Sequence, residues 1–513
     1  MSSNSNNQRI AKNTILLYIR TALVLIISLY TSRLVLKALG VEDLGIYNVV
    51  GGIVSLMAAF RSALSKSTSR FITYAIGENG DGRTLTKIFS TAMMVHLLIA
   101  CIMLLVGETI GLFILKYWTD IPEIRFQAAL YVYQCVLVIF CINTVIAPYE
   151  SVLIAYENMS VYAYLTILAS VSKLIIAWVM LYSNFDRLIL YGILMVFMDI
   201  LVFLCYYIYN RKKYPLFRFN YKWDKQYSKQ MFSFSGWTLL GTSSNAISQQ
   251  GVGLLFNNFV GLVANAALGF ANQINGAVQQ FVSSFQTAFN PQIIKLYAQN
   301  ELSQMHLLMS RASKFSFLLA YVVTLPLLFN TQYLLGIWLG EVPQYTEVFC
   351  QLILISCVID SVTGVFYTAI TATGKIRNFQ IWISVSFFLD LILSAILLLL
   401  QMHPALVFGS RILTRGIINM YIELVFVRKQ LLFNIWSYIK NALFPMCIAV
   451  IITIPIMWFV SLFFERWSCL IITTLFSIIS CSLLGWYIFL SSNERETIRI
   501  KIKEINLKKY VTR

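Results

Sequence analysis

The sequence predicts an all-α integral membrane protein of about fourteen transmembrane helices, and three observations carry that reading. Hydrophobic residues make up 58% of the 513 residues and charged residues 12%, with a mean hydropathy of +0.74, well away from the composition of a soluble domain. Apolar runs of about 20 residues, enough to cross ~30 Å of hydrocarbon at ~1.5 Å per residue, recur from end to end. Basic residues fall overwhelmingly on one side of those runs. A β-barrel is excluded, because its strands are about 10 residues long and alternate. A soluble enzyme on an anchor is excluded too, since no stretch is left for a separate globular domain.

Taken in order, the apolar windows place helices near 14–37, 46–70, 88–112, 126–149, 161–182, 187–208, 232–257, 264–289, 315–337, 348–372, 379–400, 404–427, 442–463 and 469–490. The polar start MSSNSNNQRIAKN precedes a long first run interrupted by Arg20 and Arg33, which reads as a retained helix and not a cleaved signal peptide. With the amino terminus in the cytoplasm, the even-numbered connections and both tails hold 26 basic residues. The opposite side holds only Lys116, Arg125, Arg187 and Arg466, so both termini are assigned to the cytoplasm. The formal charge of +17 is therefore mostly topology, and no nucleic acid partner is expected. The nine cysteines fall mostly inside apolar runs with no CxxC pair and no nearby His; they read as packing residues, and neither a metal nor a cofactor is expected.

Nine basic residues lie within or at the ends of helices: Arg20, Arg33, Lys37, Arg61, Lys66, Arg70, Lys173, Arg411 and Arg415. A charge near the bilayer centre costs at least ~2.5 to 3.5 kcal/mol on insertion scales, so these groups call for a water-filled cavity or a partner. Snorkelling accounts for Lys37 and Arg70, near helix ends, less well for Arg33 and Arg61, more than a turn inside.

The chain repeats itself. Leu44-Gly45-Ile46-Tyr47-Asn48 matches Leu268-Gly269-Phe270-Ala271-Asn272 at an offset of 224, Tyr74-Ala75 matches Tyr297-Ala298 at 223, and Leu153-Ile154-Ala155 matches Ile370-Thr371-Ala372 at 217. Six helices repeat as six, and an even number makes the halves parallel repeats, the arrangement that places a transport site between lobes. The expected division is a lobe over 1–210, a basic linker over 211–230, a second lobe over 231–430, and helices 13 and 14 with a basic tail over 431–513.

Helix 2 carries Asn48, Ser55, Ser62 and Ser69 at intervals of seven, with Lys66 nearby; helix 8 repeats the stripe as Asn265, Asn272, Gln279 and Gln286. Seven residues fall only about 20° short of two turns, so each set shares a face. Helix 7 adds Thr242, Asn245 and Gln249. Such residues serve either as hydrogen-bonding glue between helices or as the lining of a wet cavity, and the length of the stripe favours the cavity. Amides suit sugar hydroxyls, whereas Arg and Lys suit phosphate oxygens. A substrate with an anionic phosphate part and a polyhydroxyl part fits both walls. An organic cation would meet Arg33, Arg61 and Lys66 with no opposing carboxylate in the first two helices.

At this point the chain resembles the polysaccharide flippases of the multidrug/oligosaccharidyl-lipid/polysaccharide superfamily, of the O-antigen type. The resemblance rests on ALGVEDLGIYNVVGG (38–52), SKSTSRFITYAIG (65–77) and the AYEN (155–158) and ATGK (372–375) turns, in order and spacing over nearly the whole length. It implies a V-shaped transporter of the bacterial inner membrane that moves undecaprenyl-pyrophosphate-linked oligosaccharide to the periplasmic leaflet by alternating access. It also implies a monomer among membrane lipids, with a polysaccharide polymerase and other assembly proteins as partners. Arg33, Arg61, Lys66 and Arg70 are the expected phosphate contacts; Asn48, Asn245, Gln249, Asn272, Gln279 and Gln286 are the expected sugar contacts.

Glu150, Asp199 and Asp360 are candidates for ion coupling, or partners for Lys173, Arg411 and Arg415; pairing is the expectation for Asp390 and Glu423. His96 on helix 3 reads as a structural hydrogen-bonding residue ahead of a proton carrier. No catalysis is expected, because a polymerase or ligase needs an acid or base beside its acceptor, and the short periplasmic connections offer only the Glu42-Asp43 pair. A cation-coupled drug antiporter and a lipid-linked peptidoglycan precursor flippase remain as alternatives on the same fold.

Overall fold

The computed structural model describes residues 3–489 apart from 56, 118, 120, 221 and 222, together with residue 495. Among them there is no strand. In chain order the helices are α1 Lys12–Gly40; α2, broken into Glu42–Val54 and Ala58–Gly77; α3 Gly82–Tyr117; α4 Glu123–Ala155; α5 Met159–Leu181; and α6 Arg187–Lys213. They continue as α7 Lys225–Phe259, α8 Leu262–Ala298 and α9 Leu302–Phe329, the last followed by a short helix Thr331–Leu339. Then come α10 Thr346–Ala372, α11 Arg377–Leu399, α13 Ile435–Phe463 and α14 Arg466–Tyr487. Between α11 and α13, α12 runs Ala405–Arg411, widens by a π-turn at Ile412–Ile418 and continues as Asn419–Leu431.

A helix thus occupies each predicted window. Among the described residues ten are long and apolar enough to cross a membrane, and the two parts of α2 together make an eleventh. The other three, α7, α8 and α12, are as long but more polar: they carry the amide stripe and Arg411, Arg415 and Glu423. Several ends lie beyond the apolar windows. α8 runs to Ala298 and α9 starts at Leu302, because charged groups such as Lys295, Arg311 and Lys314 end the membrane contact without ending the helix. Gly40, with φ +78°, turns the chain between α1 and α2 in a conformation that a residue with a Cβ adopts only under strain.

Prolines inside the helices explain two of the interhelical bonds. Pro148 has no N–H for the carbonyl of Thr144 four residues earlier; His96 Nδ1 of α3 donates to that oxygen at 2.9 Å. Its Nε2 faces Thr68 Oγ1 of α2 at 3.0 Å. Both ring nitrogens of a fully buried imidazole are therefore engaged, as a structural histidine requires. Pro326 likewise frees the Val322 carbonyl, and Ser477 of α14 donates to it at 3.0 Å.

By packing, the chain forms two compact units. The first comprises Met1–Ala246, Thr287–Met305 and Thr371–Ser384, and the second Ile247–Gln286, His306–Ile370 and Val385–Arg513. The core of the first is aromatic around Phe89, Tyr133 and Tyr149. Tyr133 donates to the Gly107 carbonyl at 2.7 Å, where α3 widens into a π-turn at Gly107–Gly111. At the start of α4, Arg125 grips Asp43 through two nitrogens, at 2.9 and 2.6 Å, and Asp186 at 2.6 Å. In the second unit α13 and α14 dock on α9 through Tyr321 Oη–Thr453 Oγ1 at 2.6 Å and Asn330 Nδ2–Thr473 Oγ1 at 2.9 Å. These two helices, outside the repeat, are held by buried hydrogen bonds that have no competing water in a bilayer.

Candidate functional site

The first unit encloses a cavity of about 280 Å³ lined by Tyr47 of α2, Asn143 and Glu150 of α4, Lys173 of α5, and Asp199 and Tyr206 of α6. Its charges are opposed in pairs. Asp199 lies in the field of Lys173 and more weakly of Arg61. Glu150 lies in the field of Arg61 and Arg20 and accepts from Tyr206 Oη at 3.4 Å. Arg61, half-buried, donates through Nη1 to the carbonyl of Asn143, a lining residue of the cavity, at 3.3 Å. Arg20 of α1 lies 5.3 Å from the ring centre of Tyr162. Sequence reasoning counted Arg20 among the intramembrane cations without placing it in the site, and only its proximity to Glu150 reveals the connection.

Arg33, Asn48 and Lys66 are exposed, in keeping with groups available to a solute. The side chain of Ser55 lies outside the described residues. Arg70 is employed differently. Its Nη2 donates to the carbonyl of Ala372 at 2.8 Å, and the guanidinium lies 4.8 Å from the ring centres of both Phe71 and Tyr74. This makes it a tie to the end of α10, its charge met by a carbonyl and aromatic faces, while its Nε has no hydrogen-bond partner among the described residues. Asn245 belongs to this unit and is half-buried.

In the second unit the amide stripe of α8 divides. Asn272 is exposed and Gln279 half-buried, and on α7 Gln249 is exposed. Gln286 is built into the packing against α10: its Nε2 approaches the Ser361 carbonyl at 3.4 Å, and a Cβ placed at Gly364 would fall 2.4 Å from that nitrogen. Asn275 likewise accepts from Cys357 Sγ at 2.9 Å. The reading of these amides as interhelical glue holds for Gln286 and Asn275.

A second charged cluster lies where α7, α11 and α12 meet. Asp390, with no exposure, accepts from Arg415 Nε at 2.8 Å, Ser248 Oγ at 3.1 Å and Thr414 Oγ1 at 3.3 Å, with Arg411 Nε at 3.9 Å. Arg415 Nη2 also donates to Ser248 at 2.8 Å. The π-turn of α12 admits an extra residue into one turn, letting Thr414 and Arg415, neighbours in sequence, reach the same carboxylate. Asp360 of α10 lies in the field of Arg415 and Arg411. The pairing expected for Glu423 is not found. Glu423 is buried beside Asp360 and Thr363, and its Oε2 has no hydrogen-bond partner among the described residues. The reason is register: Arg411 and Arg415 lie about three and two turns before it on α12 and face Asp390.

No curated protein matches the chain in sequence. Among solved structures it is similar to a MATE in the bent conformation, at 12% identity and a TM-score of 0.71, over 82% of this chain and 93% of that one. It is similar to a Vibrio cholerae MATE transporter in the bent form, at 16% identity and a TM-score of 0.71, over 85% and 99%. It is also similar to an outward-facing multidrug resistance MATE family transporter of the MOP superfamily, at 12% identity and a TM-score of 0.67, over 82% and 94%. At these identities the likeness is one of fold. Residues 10–297, more than half the chain, match the family described as polysaccharide biosynthesis protein, and the chain, built on the MATE transporter fold, belongs to that family.

Proposed function

We propose that this protein is a flippase: it carries undecaprenyl-pyrophosphate-linked oligosaccharide repeat units from the cytoplasmic to the periplasmic leaflet of the bacterial inner membrane, by alternating access, for surface polysaccharide assembly. The observation that carries the reading is the match of residues 10–297 to polysaccharide biosynthesis proteins on a transporter fold. The side chains support it. Arg33 and Lys66 are exposed on α1 and α2, with Arg61 bonded to the cavity-lining Asn143, and all three suit pyrophosphate oxygens. Asn48, Asn245, Gln249, Asn272 and Gln279 suit sugar hydroxyls. In this reading Arg70 and Gln286 support the fold around the site. Glu150 and Asp199, in the cavity, and Asp360 are the groups for ion coupling. The protein does no bond chemistry, works as a monomer among membrane lipids with both termini cytoplasmic, and hands its cargo to a polymerase.

The likeness to multidrug transporters favours a second reading, a cation-coupled drug antiporter, and one experiment separates the two. In a strain lacking the protein, lipid-linked repeat units are extracted and assigned to a leaflet, and surface glycan is measured. The flippase reading expects completed units to accumulate on the cytoplasmic leaflet, relieved by the wild-type chain but not by Arg61→Ala. Intact surface glycan without accumulation, together with heightened drug sensitivity, would replace it with the antiporter.

A further inference from the structure

The cytoplasmic end of the first unit holds two contacts between helix ends and turns that are equivalent in the internal repeat. The α4–α5 turn, AYEN, and the α10–α11 turn, ATGK, share their backbone: Glu157 and Gly374, 217 residues apart, have φ of 57° and 75°. Glu157 N donates to the Ile154 carbonyl at 2.9 Å and Gly374 N to the Thr371 carbonyl at 3.1 Å, again 217 apart. Each turn receives a cation from the end of a helix in the other half of the sequence. Lys295 of α8 reaches the Glu157 carboxylate at 2.7 Å, and Arg70 of α2 reaches the Ala372 carbonyl at 2.8 Å. α2 and α8 are themselves equivalent in the repeat, and their matched tyrosines, Tyr74 and Tyr297, face each other with ring centres 6.2 Å apart. Matched tyrosines that meet, and matched turns that each receive a cation from the other half, are what an approximate two-fold relation produces.

The contacts are tight. Glu157 has no side-chain exposure and Lys295 only 18%; Gln292 Nε2 donates to the same carboxylate at 3.1 Å, and Asn13 Nδ2 to the Glu157 carbonyl at 3.2 Å. Gly77 lets the ends of α2 and α8 approach, since a Cβ there would lie 2.8 Å from Ala298 Cβ. Holding a glutamate at positive φ costs about 1 kcal/mol or more, which persists only where surroundings fix it.

We propose that Lys295 with Glu157, and Arg70 with the Ala372–Gly374 turn, are paired latches that close the cytoplasmic end and must release once per transport cycle. The proposal rests on alternating access and not on the identity of the cargo. A permanent structural tie would hold the same contacts without ever parting, and a covalent lock tells the two apart. In a functional background without native cysteines, Gly77→Cys with Ala298→Cys places two Cβ atoms within disulfide reach. Oxidation is expected to stop export and reductant to restore it, with the amount of protein in the membrane unchanged. Export by the oxidised protein at the reduced rate would overturn the proposal, and so would failure of the two cysteines to cross-link. If Gly77→Cys does not insert, Tyr74→Cys with Tyr297→Cys and a short bismaleimide makes the same test.

The latch residues themselves are read by a measurement that needs no cargo. With Ala298→Cys as reporter in inside-out vesicles, Lys295→Ala or Arg70→Ala is expected to raise labelling by a membrane-impermeant maleimide about five- to thirtyfold, the shift that weakening a closed state by one contact produces. Unchanged labelling in both variants would remove the role assigned to the two cations. Because labelling does not depend on substrate, its failure is distinct from failure of the flippase reading.

Discussion

Replacing Arg415 with Met probes whether the cluster at Asp390 holds the second unit together. Asp390 is fully buried and accepts from Arg415 at 2.8 Å, Ser248 at 3.1 Å and Thr414 at 3.3 Å. Removing one member of a buried ion pair costs ~3–5 kcal/mol, because the other charge is left without compensation. Here Arg411 Nε remains at 3.9 Å and two hydroxyls still donate, so the expected loss is at the low end, about 3 kcal/mol. Asp390→Asn with Arg415→Met removes both charges and leaves an amide oxygen for Ser248 and Thr414. The double variant is therefore expected within about 1 kcal/mol of the wild type, which makes it about 2 kcal/mol more stable than Arg415→Met alone. The assay is the apparent melting midpoint in detergent, read as soluble monomeric protein after heating, for wild type, both single variants and the double. An Arg415→Met protein that melts with the wild type, or a double no more stable than Arg415→Met, would refute the reasoning.

Other expectations follow from single contacts. His96→Leu is expected to destabilise the first unit by about 1–3 kcal/mol by leaving the Thr144 carbonyl unpaired. That cost should shrink when Pro148→Ala supplies an intrahelical donor, so equal costs in both backgrounds would reject the assignment. Arg61→Ala should abolish export while the protein stays in the membrane; loss of insertion instead would make Arg61 structural. Gln279→Leu should alter sugar selection at unchanged stability, whereas Gln286→Leu, packed on Gly364, should lower the melting midpoint; the opposite pattern in glycan profiling and melting would exchange their roles. Glu423→Gln should leave stability unchanged or raise it slightly, since no cation opposes the carboxylate among the described residues. A loss of about 3 kcal/mol in the melting assay would show a partner.

The fold was legible because a bilayer leaves the backbone few options: any apolar run of spanning length becomes a helix, and the surrounding Lys and Arg fix its direction. The site was legible by residue type and less so by assignment. Asp199 lines the cavity and Arg61 bonds to the backbone of Asn143, which also lines it, yet Arg70, of the same type and on the same helix as Arg61, ties down a distant turn. Nothing in the local sequence separates them, because the difference lies in Ala372, 302 residues away. In sequence Glu157 stands out only as part of a family turn, although the match of AYEN to ATGK places it opposite a glycine. A charged residue aligned with Gly374 at a left-handed position is a signal that the sequence carried. Pro148, four residues after Thr144, similarly announces a carbonyl in need of a donor, without naming His96.

The repeat also explains an opposition of charges that is puzzling in sequence alone. Lys173 and Asp390 occupy equivalent places, 217 residues apart, with opposite signs; Asp199 and Arg415, 216 apart, are also opposite. In the first unit Lys173 faces Asp199; in the second Asp390 holds Arg415. Each unit therefore sets one acid and one base on its fifth and sixth repeat helices, and attraction between them is the same whichever helix carries which sign. What differs is water. Lys173 is exposed and Asp199 borders a cavity of about 280 Å³, whereas Asp390 is sealed by two arginines and two hydroxyls. Exchange with a proton or a small cation requires access as well as charge. The open pair, with Glu150 beside it, has both, and the closed pair is a fastening, so among the three acids proposed for ion coupling Glu150 and Asp199 meet this requirement, while Asp360 lies in the field of the fastening's arginines.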